Sequence, residues 1–197
     1  MDVDLKKKEI KLSKTLTFYD DFVIEFISIL NSLKIKYVII SGYVVLLFGR
    51  PRLTEDIDIF LEDLDESRLK QLFEVLQKDY WIMNASSFDA AKNFYNHKDA
   101  WRVSKKNEIF PNMEVKRLKS DFDYISLNNS IKVTLNEKFD ILISPLELQI
   151  AYKLYLGSSK DLEDARYLND LFKDKLDNNL LESYARELKI KLKDLVS

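Results

Sequence analysis

The chain has 197 residues, of which 46% are hydrophobic and 32% are charged. A chain of this length and composition can bury the core of one large domain, or of one domain with a helical appendage. It contains no cysteine and a single histidine, His97, which excludes thiol nucleophiles, disulfides and Cys/His zinc sites. Oxygen ligands remain, and these are the ligands that Mg²⁺ or Mn²⁺ prefers.

The net charge and the hydrophobic pattern of the chain also limit which nucleic-acid and membrane partners it can bind. The formal net charge is −2, so no overall positive field would hold a long nucleic acid, and an RNA would have to be bound locally. The longest uninterrupted apolar run is Val44–Phe48, far short of the roughly 20 residues of a membrane helix. Residues 1–15 carry no apolar segment of a secretory signal. We therefore expect a cytoplasmic protein without a membrane partner.

The predicted elements alternate along the chain. Thr17 is predicted to cap the first helix, whose apolar face begins with Phe18, Phe22 and Phe26. Strands are then predicted at 36–40, 56–61, 79–83, 101–104, 112–118, 130–135 and 138–144, and helices at 42–49, 67–78, 86–95, 145–156, 159–172 and 179–196. This order indicates a mixed α/β body with an N-terminal helix over residues 1–144, and a helical region over residues 145–197 that packs on it.

The segment DIDIFL, residues 56–61, places two acidic residues in an apolar strand. Side chains alternate along a strand, so Asp56 and Asp58 project from one face while Ile57 and Ile59 project from the other. Two carboxylates held close together repel each other unless a divalent cation, a lysine or an arginine lies between them. The pattern indicates a divalent-cation site, and an acidic pair without function is the alternative interpretation.

Two further features precede this strand. Ser41 and Gly42 fall between a predicted strand and a short predicted helix, where backbone N–H groups next to a glycine suit a phosphate. Arg50 and Arg52 lie on the following loop, and their planar cations suit a phosphate or the two aspartates. Taken singly, these residues are also typical of a simple turn and of solvated loop charges. Their order ahead of the acidic strand favours a metal-nucleotide site.

This order of features resembles a known family. An apolar strand, two small residues, an aromatic residue, a short helix ending in glycine and the pattern RxRxTxDID are similar to the minimal nucleotidyltransferases of the polymerase-β-like superfamily. Within it, the chain resembles the branch of the AbiEii-type toxins of type IV toxin–antitoxin systems. A second stretch, ISPLELQIAYKLYLGSSKDLEDARYL at residues 143–168, resembles the C-terminal signature of that branch.

The resemblance covers residues 37–168. It implies an α+β fold in which a nucleotidyltransferase-like mixed β-sheet is flanked by helices and followed by a C-terminal helical part. It also implies that an NTP such as ATP is bound by the residues that match the family motifs. Those residues are Ser41, where the family more often has Gly, and Gly42, Arg50, Arg52, Thr54, Lys153 and Asp161.

The resemblance further implies a metal site. Asp56 and Asp58 match the two metal-binding aspartates of the family. Glu114, in the segment NMEVKRL, is the best match for the third carboxylate, where the family has Asp. Without the resemblance, Glu114 is also explained by pairing with Lys116 or Arg117 on the sheet.

The C-terminal matches have simpler explanations too. Lys153 is also explained as a surface lysine on an apolar helix. Asp161 is one of three candidate helix caps, together with Ser158 and Ser159. These alternatives stay open at the level of the sequence.

The function that the resemblance implies is transfer of a nucleoside monophosphate from an NTP to a hydroxyl of a tRNA, a protein or a small molecule. Two Mg²⁺ or Mn²⁺ ions held by Asp56, Asp58 and Glu114 would act on the phosphates, and Glu114 would accept the proton of the attacking hydroxyl. The branch also implies a toxin with a cognate antitoxin as partner. Two alternatives stay open: a catalytically weakened binding or regulatory module, and a glycosyltransferase that holds a nucleotide-sugar through the D-x-D pair.

Overall fold

The computed structural model describes residues 1–52, 54 and 56–195. The strands are β1 (Asp2–Asp4), β2 (Glu9–Leu12), β3 (Tyr37–Ile40), β4 (Asp56–Leu61), β5 (Tyr80–Ile82), β6 (Trp101–Lys105), β7 (Asn112–Arg117), β8 (Ile131–Leu135) and β9 (Phe139–Ile143). The helices are α1 (Phe18–Ser32), α2 (Gly42–Leu47), α3 (Glu66–Leu76), α4 (Phe88–Asn96), α5 (Asp121–Asn128), α6 (Leu146–Leu156), α7 (Ser159–Phe172) and α8 (Asn178–Glu187), followed by a 3₁₀ turn at Leu192–Leu195. This arrangement confirms the predicted α+β class, a mixed sheet flanked by helices.

The strands of the described residues form one sheet in the order β1-β2-β8-β9-β3-β4-β7-β6-β5. Inside this sheet, β4 is antiparallel to β3 and parallel to β7. Ile57, Ile59 and Leu61 are fully buried on one face of β4, and the alternate residues Asp56 and Asp58 lie half-buried on the other. The alternation predicted from DIDIFL is therefore confirmed.

The register of β4 determines what lies beside its acidic residues. Ile40, the last residue of β3, pairs with Asp58, so the chain enters the Ser41–Gly42 turn next to that aspartate. On the other side, the parallel pairing with β7 places Glu114 opposite Asp58. Three neighbouring strands thus bring the turn, the acidic pair and Glu114 to one region of the sheet.

The start of α2 is held by a buried carboxylate on α1. Asp20 accepts hydrogen bonds from the backbone N–H of Thr17 at 2.7 Å and from the hydroxyl of Tyr43 at 2.8 Å, and the ammonium of Lys14 lies 3.0 Å away. Burial opposes the charged carboxylate, but these donors outweigh it and lower the pKa of Asp20. Because Tyr43 follows Gly42, the bond fixes the first turn of α2 on α1.

The N-terminal strands and α5 are absent from the sequence prediction. Within residues 1–12, Ile10 alone is fully buried, so β1 and β2 carry almost no hydrophobic signal and form through the parallel pairing of β2 with β8. Helix α5 begins at a capping box made by Ser120 and Asp123. Ser126 is its buried residue, and Phe122 and Ile125 are only partly buried against the core, so the apolar stripe is too short to reveal the helix.

Two details of the predicted helices are wrong. Phe18 is predicted on the buried face of the first helix but is 54% exposed, because it is the first residue of α1. The last predicted helix, 179–196, ends early at Glu187, and Lys189 has a left-handed φ of 56° that cannot continue a helix. Residue 196 of that prediction lies outside the described residues.

No helix among the described residues has the length and apolarity needed to cross a bilayer.

The C-terminal helices contact the body at the end of α2. The hydroxyl of Tyr167 donates to the carbonyl of Phe48 at 2.8 Å. The ring of Phe48 in turn packs edge-on against Phe172, with ring centroids 4.8 Å apart. These contacts set α7 next to the loop that leads into β4, while the division of the chain at residue 144 stays a prediction.

Candidate nucleotide and metal site

Three acidic residues lie on neighbouring strands β4 and β7, and we call Asp56, Asp58 and Glu114 the carboxylate row. Oδ1 of Asp58 accepts a hydrogen bond from Nζ of Lys116, and Oε2 of Glu114 lies 3.1 Å from the same Nζ. The ammonium of Lys116 therefore lies between two of the three carboxylates. The pairing of Glu114 with Lys116, which the sequence left open as an alternative, is present in the structure.

Lys116 is a site residue that the sequence prediction missed. Burial opposes its charged form, but the carboxylates of Asp58 and Glu114 outweigh it and raise the pKa of Lys116 above its ordinary value. The ammonium thus stays charged at neutral pH and offsets part of the negative charge of the row. The signal was present in the sequence, because residues 114 and 116 share one face of a strand.

The carboxylate row has the donor chemistry of a hard divalent cation. Asp58 and Glu114 converge on a positive charge, and carboxylate oxygens are preferred ligands of Mg²⁺ and Mn²⁺. Asp56 lies one step further along the same face of β4. In the part of the chain that the structure describes, no three acidic or histidine side chains lie close enough together to hold a metal ion. The carboxylate oxygens suit a divalent cation, but the three proposed ligands do not converge on one position. The ammonium of Lys116 lies between Asp58 and Glu114 instead.

Ser41 adopts a conformation that favours glycine. Its φ is 62° and its ψ is −131°, a region that a residue with a Cβ occupies at a cost. Its backbone N–H donates to Oε1 of Gln149 at 3.3 Å, which ties the turn to α6. A Cβ on Gly42 would lie 3.1 Å from the guanidinium of Arg52, so glycine at position 42 allows the close approach of that side chain.

Thr54 orders the start of β4. Its hydroxyl donates to the backbone carbonyl of Asp56 at 2.9 Å. Its own carbonyl accepts a hydrogen bond from the hydroxyl of Tyr19 at 2.9 Å. These bonds fix the backbone at Asp56.

The two loop arginines contact α7 instead of the carboxylate row. Arg50 and Arg52 both donate to the carboxylate of Asp164, and Arg50 also donates to Glu163 at 2.6 Å. Lys153 of α6 donates to Asp164 at 2.8 Å. Asp164 is completely buried, so three cations surround one buried carboxylate and join the loop after α2 to α6 and α7.

Asp161 belongs to the same group, and we call Arg50, Arg52, Lys153, Asp161 and Asp164 the Asp164 cluster. Nζ of Lys153 lies 3.3 Å from Oδ1 of Asp161. Helix α7 is capped by Ser158, whose hydroxyl accepts the N–H of Asp161 at 3.2 Å, so Asp161 is not the cap. Lys153 is 2% exposed, which rules out the interpretation as a surface lysine.

A cavity of about 460 Å³ opens beside Asp58, a size within the range of about 300–1,000 Å³ typical of small-molecule sites. The structure brings four charged or polar groups of the site to it: Ser41, Asp58, Lys116 and Lys153. Its apolar lining is supplied by Ile40, Phe60, Phe122, Leu148, Tyr152 and Leu156. The other predicted site residues lie outside this lining, namely Gly42, Arg50, Arg52, Thr54, Asp56, Glu114 and Asp161.

One face of α6 forms a wall of the cavity. Gln149, Tyr152, Lys153 and Leu156 line it. Tyr152 and Lys153 lie three and four residues after Gln149, and four and three residues before Leu156, so the four share a helical face. That spacing around Lys153 could have identified them from the sequence. The residues that α5 contributes could not be identified, because α5 itself has no clear pattern.

Comparison with solved structures identifies the fold. An antigenic nucleotidyltransferase-like protein from Paracoccidioides brasiliensis matches 88% of this chain and 88% of its own, at 20% identity and a TM-score of 0.55. ANT(2″)-Ia in complex with adenylyl-2″-tobramycin matches 88% of this chain and 98% of its own, at 13% identity and a TM-score of 0.56. No protein-family model and no curated protein matches the sequence. The chain has a nucleotidyltransferase-like fold, and the AbiEii-type branch stays a prediction because similarity at this level extends to the fold alone.

We expect Ser41→Gly to stabilise the protein. The left-handed conformation of Ser41 costs about 1–3 kcal/mol, and glycine releases that strain while losing about 0.5–1 kcal/mol of chain entropy on folding. The free energy of unfolding, measured in urea, should rise by about 1 kcal/mol. Ser41→Ala is the control: it retains a Cβ and should not stabilise. Equal stabilisation by both variants would contradict a backbone cause.

We expect Asp164→Ala to destabilise the protein severely. Removing the carboxylate leaves the buried Lys153 without its closest partner and Arg52 with an uncompensated charge, a loss of about 3–5 kcal/mol in the free energy of unfolding. Glu163→Ala is the matched control, because Glu163 is 60% exposed and should cost less than about 1 kcal/mol. Similar denaturation midpoints for the two variants would show that the Asp164 cluster does not stabilise the fold.

Proposed function

We propose that the protein transfers a nucleoside monophosphate from an NTP to a hydroxyl group of an acceptor, with pyrophosphate as the leaving group. The observation that carries the proposal is the cavity beside Asp58, whose lining combines Ser41, Lys116 and Lys153 with aromatic side chains. The ammonium groups of Lys116 and Lys153 and the turn at Ser41 can bind the negatively charged triphosphate. The aromatic rings of the cavity can pack against the nucleotide base. The fold likeness over 88% of the chain supports the same reaction class.

The cationic side chains have the first task in this proposal, which is to hold and orient the triphosphate. Lys153 lines the cavity while its ammonium is held 2.8 Å from Asp164, so it presents a positive charge from a fixed position. Arg50 and Arg52 act indirectly, because they hold Asp164 in place. Positioning of this kind is the main protein contribution to phosphoryl and nucleotidyl transfer.

The carboxylate row has the second task. Asp56, Asp58 and Glu114 would hold Mg²⁺ or Mn²⁺, and the bound ions would supply the positive charge that stabilises the phosphate oxygens. The carboxylate of Glu114 is the group that accepts the proton of the acceptor hydroxyl. Glu114 carries one methylene more than the Asp of the family, and its pairing opposite Asp58 on β7 supports this assignment.

The proposal names the acceptor only by its chemical class, a molecule with a free hydroxyl group. A tRNA, a protein side chain and a small molecule all offer a hydroxyl, and the comparison structure of ANT(2″)-Ia is a complex with adenylyl-2″-tobramycin, a small molecule. The type IV toxin role with a cognate antitoxin is supported by the resemblance of the sequence motifs. Growth arrest on expression of the wild type, relieved by Asp58→Ala, would support that role.

A second candidate is a catalytically weakened module that binds a nucleotide without transferring it. Two observations favour it: Glu114 replaces the Asp of the family, and the ammonium of Lys116 lies between Asp58 and Glu114. Binding of a metal-NTP pair raises the melting temperature in both cases. Transfer of label separates the two candidates.

We expect Asp58→Ala to abolish transfer while leaving the fold intact. Incubation of the wild type with each labelled NTP, Mg²⁺ and total cellular RNA or protein should label one fraction. The variant should reduce the rate by at least about 100-fold, because charge stabilisation at the phosphates is lost. It should also lose the melting-temperature rise that Mg²⁺ and NTP together produce in the wild type.

Asp89→Ala serves as the control, because Asp89 is exposed on α4 and should keep wild-type activity. Full activity of Asp58→Ala would overturn the proposed reaction. A wild type that binds metal-NTP but labels neither fraction would favour the non-catalytic module.

A further inference from the structure

Lys116 occupies a position that two functions require. Its ammonium contacts the carboxylates of both Asp58 and Glu114, where the proposed function places a divalent cation. Its side chain also lines the cavity, where the proposed function places the triphosphate. The side chain is 31% exposed, so it is not enclosed by its neighbours.

A divalent cation and the ammonium exclude each other at this position. Like charges repel strongly at contact distances in a partly buried site. The ammonium is held by one oxygen of each carboxylate, Oδ1 of Asp58 and Oε2 of Glu114, while Oε1 of Glu114 lies 3.9 Å from Nε of Arg102. A metal ion can therefore bind both carboxylates only after Lys116 has left them.

We propose that Lys116 is a displaceable internal cation. In the absence of metal it holds Asp58 and Glu114 together and suppresses their repulsion. When a metal-nucleotide complex enters, the divalent ion takes the position between the carboxylates and Lys116 turns to the phosphates in the cavity. The inference rests on the proposed function for the identity of the ligand. It adds that the metal binds weakly in the absence of nucleotide and tightly in its presence.

The exchange predicts effects of opposite sign for one substitution. Without the ammonium, no cation lies between the carboxylates of Asp58 and Glu114, so Lys116→Met should tighten metal binding in the absence of nucleotide. The same variant cannot contact the phosphates, so it should weaken binding of a non-hydrolysable NTP at saturating metal. A lysine that only neutralises the carboxylates would show the first effect alone, and a lysine that only binds phosphate would show the second alone.

The test measures Mn²⁺ affinity by electron paramagnetic resonance and nucleotide affinity by calorimetry in four proteins. We expect Lys116→Met to lower the Mn²⁺ dissociation constant by about 10-fold, within the usual range for coupled sites, and to raise that of the NTP analogue by a similar factor. Lys116→Arg should behave as the wild type in the Mn²⁺ titration, because it keeps the positive charge. Lys119→Met removes the same charge from the lining of the same cavity and should leave the Mn²⁺ constant within about twofold of the wild type, since a more distant charge is screened.

The inference is overturned if Lys116→Met leaves the Mn²⁺ constant unchanged or raises it, or if it leaves the affinity for the NTP analogue unchanged. Circular dichroism melts of all four proteins show whether each variant is folded, and Lys116→Gln, which also removes the positive charge, replaces the methionine variant if that variant unfolds. Nucleotide-free Mn²⁺ binding needs no transfer reaction. An active wild type with no change in Lys116→Met therefore defeats this inference alone, whereas the expected changes in a protein that transfers no label defeat only the proposed function.

Discussion

The parallel register of β4 and β7 is the constraint on which the candidate site depends. It places Asp58 opposite Glu114, and a slip of β4 by one residue would turn Asp58 to the opposite face. The same slip would expose the buried Ile57 and Ile59, and each fully buried side chain of this kind stabilises the fold by about 1.5–3 kcal/mol. Two unit charges 4 Å apart repel by about 4 kcal/mol at an effective dielectric constant of 20, and Lys116 reduces that repulsion. The burial of Ile57 and Ile59 on one face of β4 therefore offsets the repulsion between Asp58 and Glu114 on the other face.

The second support of the site comes from the C-terminal helices. The buried carboxylate of Asp164 joins the loop that carries Arg50 and Arg52 to α6 and α7, and it holds Lys153 at the cavity. Gln149 on α6 binds the backbone of the strained Ser41 turn. One helix thus positions both a cation and the turn, so the cavity depends on the packing of α6 and α7 against the body.

Much of this arrangement could be predicted from local patterns. The alternation in DIDIFL fixed the faces of β4, the capping residue Thr17 marked the start of α1, and helical spacing revealed α3, α6 and α7. Lys116 was missed although its place two residues after Glu114 was a sufficient signal. The partner of Arg50 and Arg52 could not be predicted, because Asp164 lies 114 and 112 residues further along the chain and no local rule connects them. Two strands and one helix were missed because hydrophobic periodicity does not mark them. Strands β1 and β2 form through tertiary pairing, of β2 with β8 and of β1 with β2, and helix α5 is marked by its polar cap.

The central claim is that the carboxylate row and the cavity form one metal-nucleotide site. A crystal structure of the protein with Mn²⁺ and a non-hydrolysable NTP, with anomalous diffraction to locate the metal, tests this most directly. The account predicts an anomalous peak bound by Asp58 and Glu114, phosphate density against Ser41 and Lys153, and the base among the aromatic side chains of the cavity. Nucleotide bound elsewhere on the protein, or metal bound away from Asp58, would contradict it.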